Sequence, residues 1–305
     1  MSTVNGPPAP EQPPFQTGVF TSSGRAGAIA RLLIYLAIAT VAFLVFSTII
    51  AITLHPEPAF FLTPLGLFLN ELSFALSAIG AAAIMALLEN RPLGCYGLPG
   101  RETFGKHFWQ GAAWGLAEVT ALILVIAAFH GYSFGNIALH SRDLARYALL
   151  WGVAFLMTGF SEEFLFRGYV QYTLGSVIGF WPTAVLGSAG FGAFHLYNQG
   201  ESWAGAAGVV TIGMFFCLTL RRTGSLWFAV GMHAAFDFGE TFLYSVPNSG
   251  FVGQGHLSNA SLHGPAWLTG GTVGPEGSVF SFLTMALLFV LFARFYPAKA
   301  KSQLG

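Results

Sequence analysis

Eight windows of mostly apolar residues recur along the chain, at about 31–54, 65–88, 108–129, 146–174, 181–198, 204–220, 225–244 and 279–296. A run of roughly twenty such residues is what a helix needs to cross the ~30 Å hydrocarbon core of a bilayer. The expected fold is therefore all-α, a polytopic membrane bundle of about eight transmembrane helices. The fourth window is long enough to tilt or protrude, and the fifth and seventh fall short of a full span. Composition agrees: 54% of the residues are hydrophobic and 9% are charged, against about 25% charged in soluble domains. Such a chain cannot cover a water-facing surface, so the lipid bilayer is its natural surrounding.

Lys+Arg and Asp+Glu each number 13, with no basic arm or patch, so nucleic acid is not an expected partner. Residues 1–24, rich in Pro, Gly, Ser and Thr, read as a disordered cytoplasmic tail. Residues 25–305 read as a single transmembrane helical domain with its core at about 146–244. The first apolar run is too long and too deeply placed for a signal peptide and is read as a retained span. Cys95 and Cys217 fall in a loop and in a span, with no reason to pair and no CxxC metal spacing.

The basic residues orient the bundle. Arg25 and Arg31, Arg91 with Arg101 and Lys106, Arg221 with Arg222, and Lys299 with Lys301 all fall on one side of an eight-span chain. The positive-inside rule makes that side cytoplasmic, with both termini inside; Arg142 and Arg146 are the exceptions. The expectation is a multi-pass integral protein of the plasma or inner membrane. The stretch from about 245 to 278 has no Lys or Arg and is expected outside, as either a functional lid or a disordered loop. It carries His256 and His263, for each of which a ligand role is the minor reading.

Ionisable groups inside spans are costly, by about 2.5 kcal/mol and upward, and so mark function. Those that qualify are Glu71, Glu118, Glu162, Glu163, Arg167, His195, His233, Asp237 and Glu240. In GFSEEFLFRGYV, Glu163 and Arg167 stand one helical turn apart in the favourable order for an ion pair. Glu162 points about 100° away and has no partner in sequence. The bland reading of this stretch is a structural salt bridge with Glu162 snorkelling to an interface.

In GSAGFGAFHLYN, residues 187–198, Gly187, Phe191 and His195 share a face, and the small residues let neighbouring helices approach. Taken singly, His195 reads as bonded to a backbone carbonyl. In VGMHAAFDFGE, residues 230–240, His233 and Asp237 are four apart on one face, able to pair with each other or share a metal. Together the stretches supply a carboxylate base, two imidazoles and a dry surrounding, the parts needed to activate water.

Glu162-Glu163-x-x-x-Arg167, Phe191-x-x-x-His195 and His233-x-x-x-Asp237, in that order, resemble the motifs of the CPBP intramembrane protease family. That family includes the type II CAAX prenyl proteases and bacteriocin-processing or self-immunity proteins. The resemblance covers about 80 residues; the first three helices and the last carry no signature. It implies a site sunk in the membrane and endopeptidase activity on a membrane-tethered peptide or protein. It also implies that Glu162 and His195 activate water, that His233 and position 237 stabilise the oxyanion, and that Glu163 and Arg167 hold the site together.

At position 237 the family takes Asn or Asp, and an ionised Asp cannot donate to an oxyanion. Asp237 is then protonated, orients His233, or binds a metal. Glu162, His195, His233 and Asp237 would serve as ligands of a divalent ion such as zinc, yet no HExxH motif is present and the spacings leave metal dependence open. Two other readings are an ion- or proton-coupled transporter, which predicts inverted repeats with broken helices, and a non-catalytic membrane scaffold.

Overall fold

The computed structural model describes residue 20 and residues 24–298; the tail expected at 1–24 and the lysines at 299 and 301 lie almost wholly outside the described residues. The chain is a helical bundle. Its main helices are α1 (Arg25–Leu54), α2 (Pro64–Leu88), α3 (Lys106–Ala128), α4 (Ser141–Arg167), α5 (Tyr169–Ile178), α6 (Phe180–His195), α7 (Trp203–Thr223) and α8 (Trp227–Phe238), with α9 (Ala266–Thr269) and α10 (Val279–Phe295) following. Among the described residues the strands are two short ones, β1 (Tyr132–Ser133) and β2 (Ser261–Leu262), which pair antiparallel. A π-helical turn, Gly239–Leu243, continues α8.

α1, α2, α3, the α4–α5 stretch and α7 are long and apolar enough to cross a membrane, whereas α10 is shorter. Their outward faces are greasy: Leu33, Val41, Ile52 and Leu87 are all exposed. In a protein read as an integral membrane protein these residues face lipid, and their exposure carries no penalty there.

The expected fourth window differs from the structure. It is broken after Arg167, because Gly168 adopts φ −82° and ψ −113° and starts a second helix. A Cβ at Gly168 would lie 2.4 Å from the Phe164 carbonyl oxygen, so the close turn needs glycine.

α8 is wedged between α3 and α4. Backbone approaches backbone there: a Cβ on Gly111 would lie 2.0 Å from the Phe228 carbonyl oxygen, and one on Gly115 2.2 Å from that of Met232. Gly111 and Gly115 form a G-x-x-x-G stripe, the pattern by which membrane helices pack closely. From the other side, a Cβ on Gly159 of α4 would lie 2.7 Å from the Val230 carbonyl oxygen. Leu226 through Met232 are consequently buried in an unbroken run.

The connections sort into two ends. At one, Arg31 and Arg91 both face Glu89, Tyr169 donates to Glu89, and Leu226 N–H donates to Gly97. At the other, Gln254 N–H donates to Leu62, Ala138 N–H to Leu257, His263 N–H to Gly131 and the Thr272 hydroxyl to Gly200. These are the two groups of loops that the Lys and Arg pattern separates. The stretch at 245–278, expected as lid or disorder, is a hydrogen-bonded cap over the second end.

Candidate active site

α4, α6 and α8 bring their polar residues to one cavity of about 700 Å³ beneath the cap. Glu162, His195, His233 and Asp237 all line it, and Glu163 and Arg167 do not. The division follows from helix rotation: adjacent residues on α4 point about 100° apart. Glu162 therefore faces the cavity rather than snorkelling, and Glu163 turns into the protein, fully buried.

Arg167 Nη1 donates to Glu163 Oε1 at 3.1 Å, the one-turn ion pair that the spacing implies. The guanidinium lies over the ring of Phe191 at 4.3 Å, with the rings of Phe216 and Phe166 at 5.7 and 5.9 Å. An aromatic cage of this kind offsets part of the cost of burying the cation. The same carboxylate oxygen of Glu163 also meets His233 Nδ1 at 3.0 Å, linking α4 to α8 across 70 residues of sequence.

His233 is held on both edges. Its Nε2 faces Glu162 Oε2 at 3.6 Å and Asp237 Oδ2 at 3.5 Å, and its ring stacks on Phe216 at 5.6 Å. With a carboxylate against each nitrogen, the imidazole is placed to present an N–H on both sides. His195 is arranged otherwise. Its Nδ1 lies 3.0 Å from the Phe191 carbonyl oxygen, the backbone bond expected for an isolated histidine. That bond fixes Nδ1 as donor and leaves the Nε2 lone pair as acceptor. The Phe191 ring touches both imidazoles, at 4.6 and 6.2 Å.

Further acids and amides share the cavity. Glu71 of α2 accepts from Ser161 at 2.5 Å and from Asn70 at 3.0 Å. Glu118 of α3 and Glu276 of the cap also line it, whereas Glu240 is wholly buried, with neither carboxyl oxygen hydrogen-bonded among the described residues. Glu276 receives Ser249 N–H, and burial pushes its carboxyl up to about 7. His256 and His263 bond locally, to Gly253 and Ser261, and do not line the cavity. Both cysteines are free, Cys95 exposed and Cys217 buried.

Among the described residues no group of three or more His, Cys, Asp or Glu side chains is arranged to hold a metal ion. His233 Nδ1 is taken by Glu163, which leaves Nε2, between Glu162 and Asp237, as the nitrogen of that ring able to meet a metal.

Sequence reasoning passed over Ser161, Asn248 and Glu276. For Glu276 a signal existed: it is the sole charged residue of the 245–278 stretch. Nothing local marks Asn248, which reaches the site through the fold of the cap.

Residues 144–239 match a family model described as type II CAAX prenyl endopeptidase Rce1-like. A curated relative, the uncharacterized protein YyaK of Bacillus subtilis (strain 168), is 22% identical over 250 residues, which is 78% of this chain and 77% of that one. No solved structure matches. The matched segment contains all three motifs and ends at Gly239, one residue short of Glu240; over that segment the chain is similar to the Rce1-like, type II CAAX prenyl endopeptidases.

Proposed function

We propose that the protein is an intramembrane endopeptidase of the CAAX-protease type, which hydrolyses a peptide bond of a membrane-tethered peptide with water activated by Glu162 and His195. The observation that carries this reading is the separation of roles on α4. Glu163 is committed to Arg167 and His233, while Glu162 lines the cavity with its Oε2 free of any hydrogen bond among the described residues. A carboxylate in that position takes a proton from water, and the His195 Nε2 lone pair, left free by the Phe191 bond, accepts the second hydrogen and orients the molecule.

As the peptide carbonyl becomes tetrahedral, negative charge grows on its oxygen. The Nε2 edge of His233 stabilises it, and Glu163 keeps the ring in place through Nδ1. Asp237 orients this edge from 3.5 Å. The proton held on Glu162 then passes to the leaving amine. Aromatic walls from Phe155, Phe191 and Phe216 exclude bulk water and strengthen these electrostatic contacts.

The cavity is rimmed by exposed Pro58, Ala59 and Gln199 at the cap end, opposite the basic loops. By the positive-inside rule that rim faces away from the cytoplasm, and substrate enters from there.

The test uses the protein in lipid nanodiscs with a farnesylated CAAX peptide and its unprenylated counterpart, products being identified by mass spectrometry. Wild type cleaves at least one of them, and Glu162→Gln and His195→Ala lower kcat by about 10²- to 10⁴-fold. Equal turnover by all three proteins sinks the reading. A rate abolished by chelator and restored by zinc would put a metal at the centre of the reaction instead.

A further inference from the structure

We infer that Asn248, a residue of the cap, supplies the amide N–H that completes the oxyanion site beside His233; this rests on the endopeptidase reading. The chain has Asp at position 237, and a carboxylate has no hydrogen to give to a developing oxyanion. The structure sets an amide against it. Asn248 is 7% exposed, lines the same cavity as Glu162, His195 and His233, and its side-chain amide is set beside the Asp237 carboxyl. An asparagine amide carries two N–H groups, so one turned toward Asp237 leaves a second for the cavity.

Oxyanion donors work because they are already in place when charge develops, and Asn248 is rigidly placed. It opens a two-residue hairpin, Asn-Ser-Gly-Phe, in which Asn248 and Phe251 exchange both backbone bonds at 2.9 and 2.7 Å. Ser249 (φ 46°) and Gly250 (φ 77°) both take the left-handed conformation of a type I′ turn. The turn is tied to four elements. Val246 N–H donates to Glu240, Gly250 N–H to Val273, and Ser249 N–H to the Glu276 carboxylate, while Asn198, three residues beyond His195, holds the Ser249 carbonyl. Asn248 is thereby coupled to the segment after His195 and to the end of α8, the two places whose geometry the reaction needs.

The experiment follows kcat and KM for the farnesylated peptide in nanodiscs, with Glu162→Gln as the dead reference. Asn248→Ala and the isosteric Asn248→Asp each lower kcat and kcat/KM together by roughly 10² to 10³. Asn248→Ala/Asp237→Asn, which puts an amide back at the neighbouring position, regains most of that loss. Unfolding midpoints of all variants are read in parallel. Wild-type turnover by Asn248→Asp, or a loss that lies wholly in KM or in a lowered midpoint, overturns the donor role while leaving the endopeptidase reading intact. No cleavage by wild type, or equal cleavage by Glu162→Gln, overturns both.

Discussion

Replacing Glu163 by Leu tests whether this acid is structural or catalytic. At 3.1 Å and an effective dielectric of about 20, its attraction to Arg167 is worth about 5 kcal/mol. Removing one partner of a buried pair strands the other, and the net loss is about 3–5 kcal/mol. Arg167 is 1% exposed and its Nε and Nη2 have no hydrogen-bond partners among the described residues, so water cannot replace the lost carboxylate. The cation retains the Phe191 ring at 4.3 Å, which holds the loss within that range rather than above it. Glu163→Leu/Arg167→Met removes both charges and is expected to be more stable than the single variant, because no buried charge remains. Both variants lose activity by about 10²-fold, since His233 Nδ1 has lost its acceptor and the ring its orientation. Stability is measured by reversible unfolding in mixed micelles, followed through the seven tryptophans. A single variant within about 1 kcal/mol of wild type, or a double variant less stable than the single, refutes the reasoning.

Gly115→Val is expected to destabilise the bundle by about 3 kcal/mol or more, because its Cβ would meet the Met232 carbonyl oxygen at 2.2 Å and push away the helix that carries His233; an unchanged unfolding midpoint would contradict the α3–α8 packing. Burial raises the Glu276 carboxyl from its ordinary 4.5 to about 7, so the neutral acid is the better tenant of the folded state. The stability this gives is complete below pH 4.5 and is lost as pH rises through about 7. Unfolding midpoints of Glu276→Gln should therefore gain on wild type between pH 5 and pH 8, and parallel profiles would exclude the effect. Cys95 is exposed and lies at the basic end. A membrane-impermeant maleimide should label it in inverted vesicles and leave it untouched in intact cells; the opposite pattern would reverse the proposed orientation.

Local spacing made some of this legible and fold made the rest. Glu163 and Arg167 could be paired from the sequence because an α-helix puts residues four apart on one face, and they meet as expected. The bond from His233 to that same carboxylate spans 70 residues, and no periodicity encodes it. The break at Gly168 was hidden because residues on either side keep a helical, apolar pattern, and a lone glycine in such a run does not show whether it bends. The cap, read from the sequence as either a functional lid or a disordered loop, stayed undecided for a related reason. Its glycines and serines look like disorder, yet they allow the left-handed turns and close contacts by which it hydrogen-bonds to the loops around it. Asn248 belongs to that hidden part.

The shortness of α8 explains why a loop residue can take part in chemistry sunk among helices. Its 12 α-helical residues rise about 18 Å, well short of a ~30 Å hydrocarbon core. That length is tolerable because protein surrounds the helix and no lipid needs to be met. After the π-helical turn the chain folds back on the helix end, with Val246 N–H bonded to Glu240. A full-length span would carry residue 248 beyond the membrane surface, out of reach of Asp237. Shortening α8 leaves a recess above Asp237, and the type I′ turn fills it with an amide. The glycine stripe of α3 that grips α8 and the cap that covers its end are in this sense parts of one device: the first fixes where His233 and Asp237 stand, and the second delivers an amide donor beside them.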